Sequence, residues 1–350
     1  MEYRYLGNSG LRVSAFCFGT MTFGGTGPFF SAVGKTQLDE ARRLIDMSLE
    51  AGINLFDTAD VYSAGQSEEL LGTALGNRRH DVLVATKAVM PMGSGPNDCG
   101  ASRHHLIRAC EASLKRLNTD YIDLYQVHNQ DAMTPPEETM RALDDLVRAG
   151  KVRYVGSSNL GAWYKMKSMW ASDRLNLVRY ISQQIQYSLI WRDAEDELIP
   201  VGVDQGVGAL IWSPLAGGYL SGKFRSGDKD GGTRLEMTGR IDNLDNARTQ
   251  AIIDAVEAIA AERTGVSAAQ VALNWVVRKP TVSSIIIGAR NETQLADNLA
   301  AANWSLTDEE IARLDAASAL PPRYPYSHHR LAVVRNPHYA LQPGITAPTV

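Results

Sequence analysis

Val82-Leu83-Val84-Ala85-Thr86-Lys87 is a short, β-rich apolar run that closes on a cation. A run of this length without a polar face reads as a parallel strand buried on both sides. A lysine at its end needs a partner, because burying an unpaired ammonium is costly. In a closed barrel that position opens into the mouth, at the carboxyl end of the strand. Seven further runs follow the same pattern and end at Gly19, Asp57, His128, Ser157, Gln184, Ser213 and Gly288. Between the runs, apolar residues recur at helical spacing: Leu38, Ala41, Ile45 and Leu49; Leu106, Cys110, Leu114 and Leu117; Met140, Leu143 and Val147; Ile252, Val256 and Ile259. Eight strand-then-helix units predict an α/β chain closed into a (β/α)8 (TIM) barrel, with a doubly wound open sheet as the competitor. Closure is favoured because polar residues at the ends of so many successive strands converge only if the sheet closes.

Punctuation supports the units. Thr134-Pro135-Pro136-Glu137 reads as a capping box with proline in the first helical turn, and Gly150 as the stop; Ser267 to Gln270 and Thr307 to Glu310 repeat the box. Tyr3 to Leu6, Gly7-Asn8-Ser9-Gly10 and Leu11 to Val13 predict an N-terminal β-hairpin that plugs the barrel bottom. A polar stretch from Arg225 to Asn246 after the seventh strand is too long for an ordinary connection and is a candidate lid. Residues 1–320 are expected to form one barrel domain. Residues 321–350, with Tyr324, Tyr326, His328 and His329, form an irregular extension that either folds over the mouth or trails.

Of the 350 residues, 44% are hydrophobic and 21% charged, which suffices for a large core. The net charge of -4 and a pI near 6.0 provide no broad basic field for nucleic acid or anionic lipid. Any anion must be bound locally. No apolar run approaches the roughly 20 residues needed to span a bilayer, and the polar N-terminus does not read as a signal peptide. Cys17, Cys99 and Cys110 are odd in number and without CxxC spacing, so reduced thiols in a cytoplasmic setting are expected. Adjacent pairs His104-His105 and His328-His329 lack metal-ligand spacing, and no metal site is expected. A homo-oligomer is left open.

Four residues carry the chemistry. A phenol is a weak proton donor near neutral pH, but an ammonium beside it favours the phenolate and strengthens the acid. Tyr62 with Lys87, and Asp57 to keep Lys87 charged, make such a set; His128 adds an imidazole to polarise an oxygen. Taken singly, each has a plainer reading: Asp57 as a turn cap, Tyr62 as a rim aromatic, His128 as a satisfied structural histidine. Gathered in one mouth they suit carbonyl reduction, in which carbon receives hydride and oxygen a proton.

Phe56-Asp57-Thr58-Ala59-Asp60-Val61-Tyr62-Ser63, Thr86-Lys87 and Gln126-Val127-His128 resemble the active-site signatures of the aldo-keto reductase superfamily. The resemblance continues through Val155 to Asn159, Gln184 before Tyr187, Trp212 to Gly218, and Ile287-Gly288-Ala289-Arg290 with Gln294 and Asn298. Trp212-Ser213-Pro214-Leu215-Ala216 and Ser221-Gly222-Lys223 are most similar to the branch containing bacterial aldo-keto reductases and potassium-channel β subunits. It implies NADPH/NADP+ as cofactor, with NADH less favoured, and no G-x-G-x-x-G follows the first strand. Tyr62 is then the general acid/base, Lys87 and Asp57 its support, and His128 the polarising group. Ser158, Asn159 and Gln184 are implied at the nicotinamide carboxamide and Trp212 on its ring, with Thr20 and Met21 as wall contacts. Ser213, Pro214, Leu215, Gly217 and Lys223, joined by Arg234, resemble a pyrophosphate clasp. Gly288 and Arg290, before a helix capped by Asn291, suit a 2′-phosphate; Gln294, Asp297 and Asn298 face the adenosine.

The substrate is expected to be a small carbonyl or alcohol, walled by Met21, Phe23, Tyr62, Met90, Asn129, Tyr187 and the C-terminal aromatics. Two other classes compete. A metal-dependent barrel hydrolase wants His-x-His after the first strand, where Phe16 to Met21 has none. A cofactor-binding sensor or scaffold like the channel β subunits remains the alternative function.

Overall fold

The computed structural model describes residues 1–27, 29–222, 244 and 246–328. The strands are β1 Tyr3–Tyr5, β2 Arg12–Ser14, β3 Phe16–Gly19, β4 Leu55–Asp57, β5 Leu83–Ala88, β6 Ile122–Val127, β7 Val152–Ser158, β8 Ser182–Gln186, β9 Gly208–Trp212 and β10 Val282–Ile287. Strands β3 to β10 are all parallel and close into a barrel in chain order, β10 pairing with β3. The helices are α1 Phe30–Val33, α2 Leu38–Glu50, α3 Gln66–Leu75, α4 Arg103–Leu117, α5 Pro136–Arg148, α6 Ala162–Leu175, α7 Leu198–Gln205, α8 Ala247–Ala261, α9 Ala268–Val277, α10 Glu292–Ala300 and α11 Asp308–Ser318. None is long and apolar enough to cross a membrane among the described residues. The eight-unit closed barrel is as the strand-ending pattern predicts.

The antiparallel hairpin β1–β2 brings Leu6 and Val13, both fully buried, onto Cys17, Leu55, Ala85, Leu124 and Leu210 from five barrel strands. These form an apolar plug inside the barrel. Gly7 makes the close approach possible: its φ is 59°, and a Cβ there would lie 2.3 Å from the Gly206 carbonyl oxygen. Side chains alternate along each strand, so residues two further on face the same interior. Two residues beyond Leu55, Ala85 and Leu124 come Asp57, Lys87 and Gln126, and two beyond Leu210 comes Trp212. The barrel interior therefore changes from apolar to polar in one layer, at its carboxyl end.

Caps were partly foreseen. Thr307 and Glu310 form a complete capping box at α11, and Ser267 caps α9 through the Gln270 amide, while the Gln270 side chain turns to Asp297 and Trp304. The box expected at Thr134 does not form. Helix α5 begins at Pro136, the Thr134 hydroxyl donates to Asp131, and Glu137 pairs with Arg174. The helix starts one residue later than the box requires, so the N-cap position falls to Pro135, which has no side-chain acceptor.

Candidate active site

Barrel register sets the site. Asp57 is level with Ala85, Lys87 with Gln126, Gln126 with Gly156, and Ser158 with Gln184. Lys87 is fully buried, and its Nζ donates to Asp57 Oδ1 at 2.6 Å, to the Thr58 carbonyl at 2.7 Å and to Tyr62 Oη at 3.3 Å. Burial opposes its charge, but the Asp57 carboxylate and then Tyr62 outweigh that, so its pKa lies above the ordinary value. It stays an ammonium. The second Asp57 oxygen accepts from Gln184 Nε2 at 2.7 Å and Gln126 Nε2 at 3.3 Å. Gln126 lies beside Gly156, where a Cβ would come 2.3 Å from Ser182 Oγ and 3.2 Å from Gln126 Cγ.

Tyr62 is half-buried on the turn that leads from β4 into α3. Its ring has Lys87 Nζ 4.9 Å from its centroid, Phe30 at 5.9 Å on one side and His128 at 6.0 Å, edge-on, on the other. Burial, with repulsion from Lys87 second, pushes the His128 imidazole down to about 3, so it is neutral in the physiological range. Its Nδ1 and Gln126 Oε1 are shielded from solvent without a partner among the described residues. Asn159, left-handed at φ 55°, donates to the His128 carbonyl and accepts from Trp212 Nε1 at 3.1 Å. That bond fixes the indole at the rim of the mouth.

The other expected contacts divide by place. Ser158 and Gln184 are buried beside the tetrad, and Met21 is half-buried after β3. The Thr20 hydroxyl is engaged with the Asp57 carbonyl and Ser67. Ser213, Ala216, Gly217 and Gly218 all have positive φ, between 49° and 108°, and wind the backbone after β9 into an open turn; Pro214 and Leu215 lie within it. Among the described residues, nothing lies within 4 Å of a Cβ added at Gly218, and only the Gly19 carbonyl, at 3.8 Å, near one at Gly288. Asn291 caps α10, and the Arg290 amide donates to Gln294 Oε1, so Gly288 and Arg290 stand exposed at a helix N-terminus. Asn298 donates to the Gly288 carbonyl, whereas the Asp297 carboxylate accepts from Ser267 and Gln270. Lys223, Arg234 and nearly all of the candidate lid lie outside the described residues. Side-chain amides, the Trp212 indole, a turn of positive φ and a helix N-terminus thus lie at or past the ends of β7 to β10, and His128 Nδ1 and Gln126 Oε1 are shielded in the mouth.

Two expected substrate walls are core residues. Phe23 packs on Phe18, and Tyr187 is buried beside Trp275 with its hydroxyl on Glu195. Phe30, not foreseen, takes the place on the tyrosine. Of the C-terminal aromatics, Tyr326 bonds Glu197 and Tyr324 is 84% exposed, while Arg323 pairs with Asp193 and Asp196. His329 and the residues beyond it lie outside the described residues.

Behind the tetrad lies a second carboxyl that sequence reading missed. Asp60 is fully buried, and neither carboxyl oxygen has a well-formed hydrogen bond among the described residues. Burial first and the Glu68 carboxylate second raise its pKa to about 8, against the Val61 amide, Arg116 and Lys87. Between pH 4 and 8 the folded chain therefore keeps a proton that the unfolded chain releases, and stability falls as pH rises through that window. Asp60→Asn removes this dependence. Its stability gain over wild type is expected to grow from pH 5 to pH 8 by up to about 4 kcal/mol. Urea unfolding at both pH values measures it, and a gain that does not change with pH contradicts the protonated acid.

The family model for the aldo/keto reductase family matches residues 15–319. The chain belongs to the aldo/keto reductase family and is an oxidoreductase. It is 40% identical over 327 residues to YrpG, described as an uncharacterised oxidoreductase, from Bacillus subtilis (strain 168), covering 90% of this chain and 94% of that one. A probable voltage-gated potassium channel subunit beta from Oryza sativa subsp. japonica is 38% identical, covering 92% and 98%. Versiconal hemiacetal acetate reductase from Aspergillus parasiticus is 36% identical, covering 90% and 96%.

Proposed function

We propose that the chain is an NADP(H)-dependent reductase that interconverts an aldehyde or ketone with the corresponding alcohol. One observation carries the reading: a fully buried ammonium lies within hydrogen-bond reach of both a carboxylate and a half-buried phenol, with a neutral imidazole beside the phenol. When bound, reduced nicotinamide supplies hydride to the carbonyl carbon. Tyr62 gives its proton to the carbonyl oxygen, and in the reverse direction takes it back. Lys87, kept charged by Asp57, stabilises the phenolate left behind. Neutral His128 donates to the same oxygen and orients it. The four need no covalent intermediate.

Ser158, Asn159 and Gln184 are proposed to hold the carboxamide, Gln184 by exchanging its bond to Asp57, and Trp212 to cover the ring. The turn from Ser213 to Gly217, with Lys223 and Arg234, would take the pyrophosphate. Gly288, Arg290, Gln294 and Asn298 would take the phosphoadenosine end. A complete tetrad supports turnover over a purely sensing role, the alternative that the channel-subunit relatives bring to mind.

A panel of aldehydes, ketones and secondary alcohols with both cofactors tests the reading, and Arg290→Ala tests the cofactor. A guanidinium on a 2′-phosphate is worth about 1.5 to 3 kcal/mol, about ten- to over a hundredfold in affinity. NADPH should bind more tightly than NADH. Arg290→Ala should weaken NADPH by that order, leave NADH little changed and reduce the salt dependence of NADPH binding. Tryptophan quenching, with Trp212 as reporter, measures all four affinities. Equal losses for both cofactors would move the phosphate contact elsewhere, with Arg234 next to test, and a panel with no turnover in either direction would favour the sensing role.

A further inference from the structure

Tyr62 opens a turn, Tyr62–Gly65, whose backbone is left-handed at Ser63 (φ 50°) and Ala64 (φ 55°) and again at Gly65 (φ 95°). Residues with a Cβ hold that conformation only where their surroundings impose it. Three buried side chains impose it here. Ser63 Oγ donates to the Phe23 carbonyl at 2.9 Å and accepts from the Gly25 amide at 3.0 Å. Ser67 Oγ donates to the Thr20 carbonyl at 2.8 Å and lies 3.0 Å from the Thr58 hydroxyl. The third is Glu68, fully buried and absent from the chemistry above.

Glu68 faces two ways. Oε1 accepts from the Thr86 hydroxyl at 2.6 Å, and Oε2 from Arg116 Nε at 2.7 Å. Arg116 in turn lies against the end of the tyrosine's turn: a Cβ at Gly65 would be 2.6 Å from its Cδ and 2.9 Å from its Nε. Thr86 immediately precedes Lys87 on β5, so strand alternation sends Lys87 inward to Asp57 and Thr86 outward to Glu68. One strand is thus gripped by a carboxylate on each face. The Asp57 grip is in the mouth, and the Glu68 grip is behind it and joined through Arg116 to the turn that bears Tyr62.

We propose that Glu68 is a positioning residue that, through Thr86 and Arg116, fixes the lysine-bearing strand against the tyrosine-bearing turn and so sets the 3.3 Å separation of Lys87 Nζ and Tyr62 Oη. It rests on the reading of Tyr62 as proton donor. A merely structural ion pair here would change stability alone, since buried pairs are often replaceable without loss of the fold.

Glu68→Gln keeps the shape and the acceptor for Thr86 but releases Arg116. With a carbonyl substrate and saturating NADPH, kcat near pH 7 is expected to fall about tenfold, as 1 Å misplacements cost up to about a hundredfold. The NADPH Kd should stay within about twofold; because Asp60 faces Glu68, Arg116 and Lys87, the kcat–pH profiles are compared in an Asp60→Asn background, where the alkaline limb should still move. Arg116→Gln, at a side chain 18% exposed, should show the same kinetic change, and the double variant should be no worse than either single one. Arg116→Lys, which keeps a charge for the buried Glu68 but loses the planar Nε contact, serves if either single variant does not fold. Unchanged kcat and pH profile in the folded variants, with only a lower Tm, overturn the proposal. Tyr62→Phe assayed alongside separates the two readings: its inactivity with active Glu68→Gln and Arg116→Gln sinks the brace alone, whereas near-wild-type turnover in Tyr62→Phe sinks the proton donor and the brace with it.

Discussion

Tyr62→Phe is expected to bind NADPH nearly as wild type does and to lose carbonyl turnover by about 10²- to 10⁴-fold, the usual contribution of a positioned general acid. The substitution keeps the ring and therefore its packing against Phe30 and His128. Only the hydroxyl is lost, together with its 3.3 Å bond from Lys87. Among the described residues no other group stands ready to replace it, because His128 is neutral down to about pH 3 and Lys87 is committed to Asp57 and Thr58. Steady-state NADPH consumption gives kcat, and fluorescence titration gives the cofactor Kd. A phenylalanine variant with near-wild-type kcat across the pH range would remove Tyr62 from the mechanism.

Lys87→Met should disable the same step and also weaken the fold. Removing the ammonium leaves the phenolate without its counter-charge, and turnover is expected to fall at least as far as in Tyr62→Phe. It also leaves Asp57, 2% exposed, as a buried carboxylate held, among the described residues, by the amides of Gln184 and Gln126. Breaking a buried pair in this way costs about 3 to 5 kcal/mol. Adding Asp57→Asn removes the stranded charge, so the double variant should regain much of that stability while staying inactive. Urea unfolding and turnover of the three variants measure both effects. A double variant as unstable as Lys87→Met would mean that lost packing around the lysine stem, and not the stranded charge, sets the cost.

Much of the barrel and of the tetrad was legible because both depend on local order. A buried strand announces itself by a few apolar residues, and its end by the residue that breaks them: Gly19, Asp57 and Lys87 fall at or one residue before strand ends, and His128, Ser213 and Gly288 one residue past them. Asn291 and Thr307 could be read as caps for the same reason, since a cap reaches only three residues along its own chain. Thr134 failed as a cap because the helix begins at Pro136, which puts Pro135, not Thr134, at the N-cap.

Composition and periodicity by themselves determined an eight-unit α/β barrel with a plugging hairpin and a polar mouth. Run ends offered Asp57, Lys87 and His128 as candidates, because strand period, caps and run ends are all set by near neighbours; Tyr62, and the joining of the four into one site, came from the resemblance of their motifs to the aldo-keto reductase signatures. Tertiary structure alone decided who meets whom across the mouth. Gln184 turned to Asp57, Gln126 passed over Gly156, Phe30 packed on the tyrosine, and Glu68 gripped Thr86 from behind. Each of these contacts joins residues 18 to 127 positions apart, and such pairs are fixed only when closure and register bring distant strands level.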